Sequence, residues 1–498
     1  MFKTNSFKKT ALVLSVAVCI ALAFVLTACS GVKPFQSETG SDLVASAIDS
    51  NGGIAVSVKI ADEDYLYYVN GYQSDSTVEN TYANVRRVGE VVRVKVSDLD
   101  EIITLTEATD KKSAEIAESI SEAIREKAKI VVPNVYYTAN TTTKLNGIFI
   151  FNNRLYMLTP NDELTAGGAS LTSQLCLNSY ALNGTDKQTH VVIESNSAQV
   201  MLSNVNGDVY ATIVANSALY SIKLGDRVEL TSSIATAKVE DVPAGIARIN
   251  ESVSNVSFDV VGDEGKGVFY NDKDGSICHF VAGATEQKVL VKNEEDSGHE
   301  DHNHKTKTIK SVNNGYVYYT QADSNSSVTD NNIYWVTDDA NGVLVPTAPA
   351  DTYYCRGTEM YFVGSKTVSS KTVYTIYRAT WDAATKTVKQ DALLNFEQND
   401  KSVTLNGVVG DVLTYTANGF TYTLDLTSFG DVVTAVDSGK VIASGLSTSS
   451  TGWSVPEVVG NYAFTLASGS VSVVKFDAVK KTNSTSADIT LKDAATEE

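Results

Sequence analysis

Three of the five histidines in this 498-residue chain stand in one octapeptide, GHEDHNHK, residues 298–305. His299, His302 and His304 are spaced i, i+3, i+5, with Glu300 and Asp301 between them and Glu294, Glu295 and Asp296 just upstream. Imidazole and carboxylate together suit Zn²⁺ or another borderline divalent metal. A tetrahedral site also needs a scaffold that fixes the ligands and neighbours that orient the rings. A polar connecting stretch provides neither, so the expectation is weak divalent-metal binding through His299, Asp301, His302 and His304, with no cofactor otherwise. A second acidic stretch, NDKDGS at 271–276, offers Asp272 and Asp274 before Gly275. It lacks the closing carboxylate of a calcium loop and reads as a hairpin turn.

Nucleophile signatures are absent. There is no Gly-x-Ser-x-Gly elbow and no Ser-x-x-Lys with its companion motifs. His190 and His279 each lie in a strand pattern, where a lone histidine reads as structural. Tyr72 and Tyr82 flank a polar loop, GYQSDSTVENTY, and are the tyrosines placed to form a contact surface. A non-enzymatic role is therefore expected, with a partner drawn from envelope proteins or glycans. The rival readings are a carbohydrate-processing propeller enzyme and a metal-scavenging protein that uses the histidine loop.

What must position these residues begins after a targeting segment. Lys3, Lys8 and Lys9 form a basic start, residues 11–26 are uncharged and apolar, and the run closes on Leu26-Thr27-Ala28-Cys29. Leu, two small residues and Cys in register resemble the lipobox of bacterial lipoproteins. The resemblance implies diacylglyceryl transfer to the Cys29 thiolate, cleavage after Ala28 and acylation of the new terminus. Two or more acyl chains give stable anchoring. The expected organisation is a signal peptide over 1–28, a small polar tether over 29–50, a globular body over 51–478, and a last strand with a polar tail over 479–498. The protein is then extracytoplasmic and held to the membrane by its N-terminal lipid.

Cleavage removes three lysines and no acids, taking the formal charge from −19 to −22. A surface this acidic excludes nucleic acid as a partner. Past Cys29 only Cys176, Cys278 and Cys355 remain, too few and odd in number for a disulfide framework. Each sits in an apolar strand-like run and reads as a buried, inert thiol.

From residue 52 the chain alternates short runs rich in Val, Ile, Tyr and Thr with Asn, Asp, Gly and Ser. One stretch, 110–129, has helical spacing, with Ala117, Ile120, Ile124 and Ala128 on one face. Aromatic-rich hairpin segments recur, among them GIFIFNNRLYML (147–158), GVFYNDKDGSICHF (267–280) and DVLTYTANGFTYTLDL (411–426). From 147 onward the full series starts at 147, 207, 267, 315, 359, 411 and 461, about 40–60 residues apart, each segment flanked by further strands, as in the blades of a propeller. A four-stranded sheet cannot bury both faces alone, and alternation such as Tyr316 and Tyr318 against Val317 and Tyr319 puts bulk on both. The expected fold is all-β, a β-propeller of seven or eight four-stranded blades with one surface helix; tandem β-sandwiches are the alternative.

NIYWVTDD (332–339) resembles the YWTD-type blade strand of low-density-lipoprotein-receptor propellers, with Val336 interrupting Tyr334, Trp335, Thr337 and Asp338. YLYYVNG and YVYYT are similar to strands in propeller-like domains of Gram-positive-type surface lipoproteins. The resemblance implies the fold and supplies no ligand.

Overall fold

The computed structural model describes residues 43–488 except 74–84, 99–125, 139–146, 162–173, 260–266, 294–304, 324–331, 346–351, 397–402, 428–431, 436–439, 445–456, 480–486 and a few positions singly or in pairs. Among the described residues the protein is all-β, with strands grouped into seven sheets. The first sheet runs in chain order through Ala45–Asp49, Ala55–Ile60, Glu63–Gln73, Val85–Lys95 and Lys129–Thr138. The second is built from Phe149–Phe151, Arg154–Pro160, Leu175–Ala181 and Gln188–Ile193. The third comprises Gln199–Val205, Asp208–Ala215, Ala218–Lys223 and Ile246–Asn250. Val228–Leu230, which precedes the third sheet's last strand, instead pairs in parallel with the second sheet's edge at Val191–Ile193.

The fourth sheet spans Ser254–Val291 and the fifth Lys305–Val345, each a meander of four antiparallel strands; the sixth is such a meander over Tyr353–Phe396 with Ala487–Asp488 added in parallel at its edge. The seventh begins as such a meander, Val403–Val409 to Val432–Ala435, and then continues through Ser470–Val479, Tyr462–Ala467 and Glu457–Val459. Lys440–Ser444 pairs with the first half of Ser470–Val479, and Val432–Ala435 with its end.

The first strand, Ala45–Asp49, lies inside the stretch expected to be tether: its backbone pairs with Ser57–Ile60, so order begins earlier than composition suggested. The helix expected over 110–129 falls mostly outside the described residues. Glu126 and Lys127 are helical, and a strand already starts at Lys129, where pairing with Arg93 overrides the helical pattern.

What the sheets do with their apolar faces explains the sequence. Six clusters of buried side chains each bridge two sheets consecutive in the chain. The fifth sheet shows the logic. Tyr318 turns to the sixth sheet and packs with Cys355, Met360 and Ala379. Its neighbours Val317 and Tyr319 turn to the fourth sheet and pack with Phe269 and Ile277. Period-two alternation thus serves two interfaces, because successive side chains of a strand point to opposite faces. The series returns on itself: Lys440–Ser444 lies against Glu63–Gln73, and Glu457–Val459 against Ala55–Ile60.

Tyrosine dominates these interfaces. Tyr67, Tyr68, Tyr220, Tyr270, Tyr318, Tyr361, Tyr415 and Tyr422 are among the largest fully buried side chains. A tyrosine brings large apolar area and a hydroxyl that must find a partner. Tyr67 donates to the Leu182 carbonyl at 3.1 Å, from the first sheet to the second. Tyr318 donates to the Gly357 carbonyl at 2.9 Å, fifth to sixth, and Tyr354 to the Asn406 carbonyl at 2.9 Å, sixth to seventh. Cys176, Cys278 and Cys355 form no disulfide and are buried in these layers. Burial pushes the Cys278 thiol up to about 12, so it is inert at neutral pH.

Tyr318→Phe removes one inter-sheet hydrogen bond and should cost about 1 kcal/mol, whereas Tyr318→Ala, which opens a cavity between two sheets, should cost about 3–5 kcal/mol. Urea unfolding of the two variants checks both the direction and the ordering.

Candidate functional site

The turns that close the first hairpin of the second, third, fifth, sixth and seventh sheets are all two residues long. Asn152-Asn153, Asn206-Gly207 and Asn314-Gly315 all have positive φ at both positions, as two-residue hairpin turns require. In the sixth and seventh sheets the corresponding turns begin with Gly357 and Gly410, at φ 55° and 54°. These turns are tied sideways. Asn152 donates to the Gly207 carbonyl at 3.0 Å, and the Gly315 amide donates to buried Asp259 of the fourth sheet. Asn313 sends its side-chain amide to the carbonyls of Cys355 (3.4 Å) and Gly410 (3.3 Å), joining three sheets. Buried backbone groups need partners, and here the neighbouring sheet supplies them.

Where the turns of the fifth, sixth and seventh sheets meet, they leave an open cleft of about 450 Å³. Tyr316, Arg356 to Glu359, Leu426 and Thr427 line it. Tyr316 is half-buried; its ring packs near Tyr318 (centroids 6.3 Å apart) and Trp335 (5.3 Å). Arg356 donates to Asp411 at 2.6 Å and stands 3.9 Å from Glu359. Glu359 accepts from Arg378 at 3.3 Å and from the Tyr361 hydroxyl, and Arg378 reaches Asp391 at 3.1 Å. Burial, and then the bond to Glu359, push the Tyr361 hydroxyl up, so it stays a donor. Burial opposes ionisation of Asp391, but Arg378 and Lys389 prevail and hold it below the usual carboxylate range. The result is a chain of oriented donors and acceptors, with each guanidinium already matched to carboxylates.

Two other groups have the chemistry of active sites and a structural setting. Ser179, fully buried, lies 2.7 Å from His190 Nε2 and accepts from Arg154 Nε at 2.9 Å. His190 Nδ1 faces the Gly225 carbonyl at 3.4 Å, which makes Nδ1 the protonated nitrogen and lets Ser179 donate to Nε2. The pair is closed in by Tyr156, with ring centroids 5.7 Å apart. Burial holds the His190 pKa below the ordinary imidazole value. His279 stacks on Phe269 (centroids 4.1 Å apart, 8° between planes), and its Nδ1 lies 2.9 Å from Asp338 of the fifth sheet. Both histidines are 7% exposed and serve the packing, in keeping with the strand reading.

Asp272 caps its own turn: its carboxylate accepts from the amides of Asp274 (3.0 Å) and Ser276 (2.9 Å), which makes 271–276 a hairpin turn. No group of three or more possible metal ligands occurs among the described residues. His299, Asp301, His302, His304, Tyr82 and Cys29 lie outside the described residues. Tyr72 is in the strand Glu63–Gln73, opposite Val88. The cleft residues escaped the sequence reading because Arg356 and Asp411 are 55 positions apart, and nothing local marks either.

No protein-family model matches the sequence, and no curated protein is significantly similar to it. Solved structures similar to it include the S. cerevisiae Dbp5 complex with Nup159, Gle1, IP6 and ADP, at 12% identity over 88% of this chain and 98% of that one, TM-score 0.28. A putative 6-phosphogluconolactonase from Bacteroides uniformis matches at 11% identity over 72% and 92% of the two chains, TM-score 0.27. The Nup133 β-propeller domain of Vanderwaltozyma polyspora matches at 9% identity over 66% and 99%, TM-score 0.24. None superposes closely enough to transfer a residue or a role.

Because folded His190 resists protonation, native and unfolded chains bind the same protons above about pH 6.5. Below that the unfolded chain takes up a proton the folded one refuses, and stability falls. Unfolding midpoints measured at pH 7.5 and 5.5 should drop on acidification, and His190→Gln should lessen the drop.

Proposed function

We propose that the protein is a lipid-anchored, extracytoplasmic β-propeller that binds a partner at the cell envelope and performs no catalysis. The observation that carries the propeller reading is the serial packing. Each sheet covers the next in chain order, and strands near the C-terminus return to the first sheet. Tandem sandwiches would pair sheets two by two, with no shared interface from one pair to the next. A closed ring leaves its turns exposed at two rims, and a rigid scaffold with exposed turns is suited to recognition.

The anchoring half of the reading rests on Leu26-Thr27-Ala28-Cys29 behind an apolar run. No helix among the described residues is long and apolar enough to cross a membrane. The lipid on Cys29 would hold the body, and the polar segment after it would give reach. Binding, in preference to turnover, is supported by the state of the charged groups at the cleft: Arg356, Glu359, Arg378, Asp391 and Asp411 are held in mutual ion pairs.

Cys29→Ser should abolish lipid attachment and either shift the protein from the membrane fraction to the soluble fraction or leave an uncleaved precursor. Membrane fractionation with metabolic labelling by a fatty-acid analogue reads both. A labelled, membrane-bound Cys29→Ser protein would refute the anchor.

A further inference from the structure

We infer that the cleft between the fifth, sixth and seventh sheets is a binding subsite for a neutral saccharide, an inference that rests on the envelope-binding reading and names its ligand. Four observations converge on this class. The cleft, at about 450 Å³, falls within the size range of small-ligand sites. Tyr316 gives the lining an aromatic ring, which packs near Tyr318 and Trp335. A pyranose presents a C–H face that packs on such a ring and a belt of hydroxyls that does not.

The remaining lining is polar and mixed in sign. Arg356 supplies donors, Glu359 an acceptor, and Thr358 and Thr427 hydroxyls that can do either. Sugar hydroxyls, donors and acceptors at once, match such a set, and planar guanidinium and carboxylate groups bind adjacent hydroxyl pairs through two atoms.

Charge selects a neutral ligand. Arg356 is matched by Asp411 and Glu359, and Arg378 by Glu359 and Asp391, so two guanidiniums face three carboxylates. An anion entering the cleft would have to displace a carboxylate from its partner, on a chain whose formal charge is −19. The fourth observation is rigidity. Arg356 and Glu359 flank a two-residue turn whose first carbonyl, Gly357, is held by Tyr318 at 2.9 Å, and Asn313 pins the adjacent Cys355. The groups are pre-oriented, which lowers the entropic cost of binding a weak ligand.

The test uses the full chain in mild detergent with tri-N-acetylchitotriose, maltotriose and cellotriose as neutral probes, and heparin oligosaccharide and inorganic phosphate as anionic ones, all read by calorimetry. At least one neutral trisaccharide should bind, and the anions should neither bind at the cleft nor compete. Tyr316→Ala should weaken binding about tenfold, and Tyr316→Phe should preserve it. Thr358→Arg, a change at an exposed turn position that fills the cleft, should abolish binding without altering the melting temperature. Absence of binding by all three trisaccharides overturns the inference. So does binding that survives both Tyr316→Ala and Thr358→Arg, or competition by phosphate or heparin. Crosslinking on intact cells separates this from the broader reading. A recovered envelope partner alongside failed trisaccharide binding would sink the subsite alone. Trisaccharide binding with no crosslinked partner would uphold the subsite and sink partner display.

Discussion

The structure depends on one constraint: sheets of four or more strands with two apolar faces, neither of which can be left in water. Burying one face against a neighbour leaves the other exposed, so the sheets pack in series, each against the next in the chain. Tyrosine is the side chain that makes this workable here. Its ring fills the space between sheets, and its hydroxyl can reach a backbone carbonyl on the next sheet, as those of Tyr67, Tyr318 and Tyr354 do. A phenylalanine in the same place would fill the same volume and leave that carbonyl without a partner. Eight of the 24 tyrosines are among the largest fully buried side chains, against none of the three tryptophans.

Much of the all-β body was legible because it is written in local patterns. Alternation at Tyr316 to Tyr319 announced two buried faces, and the clusters on either side of the fifth sheet show both. Turn chemistry was equally local: Asp272 folds its own loop, and Asn-Asn and Asn-Gly pairs sit where positive φ is needed. Errors arose where tertiary pairing overrode local signal. Ala45–Asp49 reads as tether because it is small and polar, yet a neighbouring strand recruits its backbone. Lys129 continues a helical pattern in sequence and begins a strand in space.

The cleft was not legible, for a different reason. An ion pair such as Arg356–Asp411 has no periodicity, and with 59 carboxylates in the chain any arginine has many conceivable partners. His279 and Asp338 show the same difficulty from the other side. Asp338 stood out in sequence through its place in a YWTD-like strand, whereas its histidine is 59 positions away on another sheet. Motif resemblance marked the residue without revealing what it touches.

The described residues that flank 294–304 lie a strand's length from the cleft. Asn293, the last described residue before the histidine-rich segment, bonds the mid-hairpin turn through Asp274 and Ser276 and receives Lys307 from the following strand. That strand, Lys305–Asn313, then runs away from this rim, and nine residues at about 3.3 Å each carry it roughly 30 Å to the turn beside Tyr316. The chain therefore enters the histidine-rich segment at one rim and forms the cleft at the other.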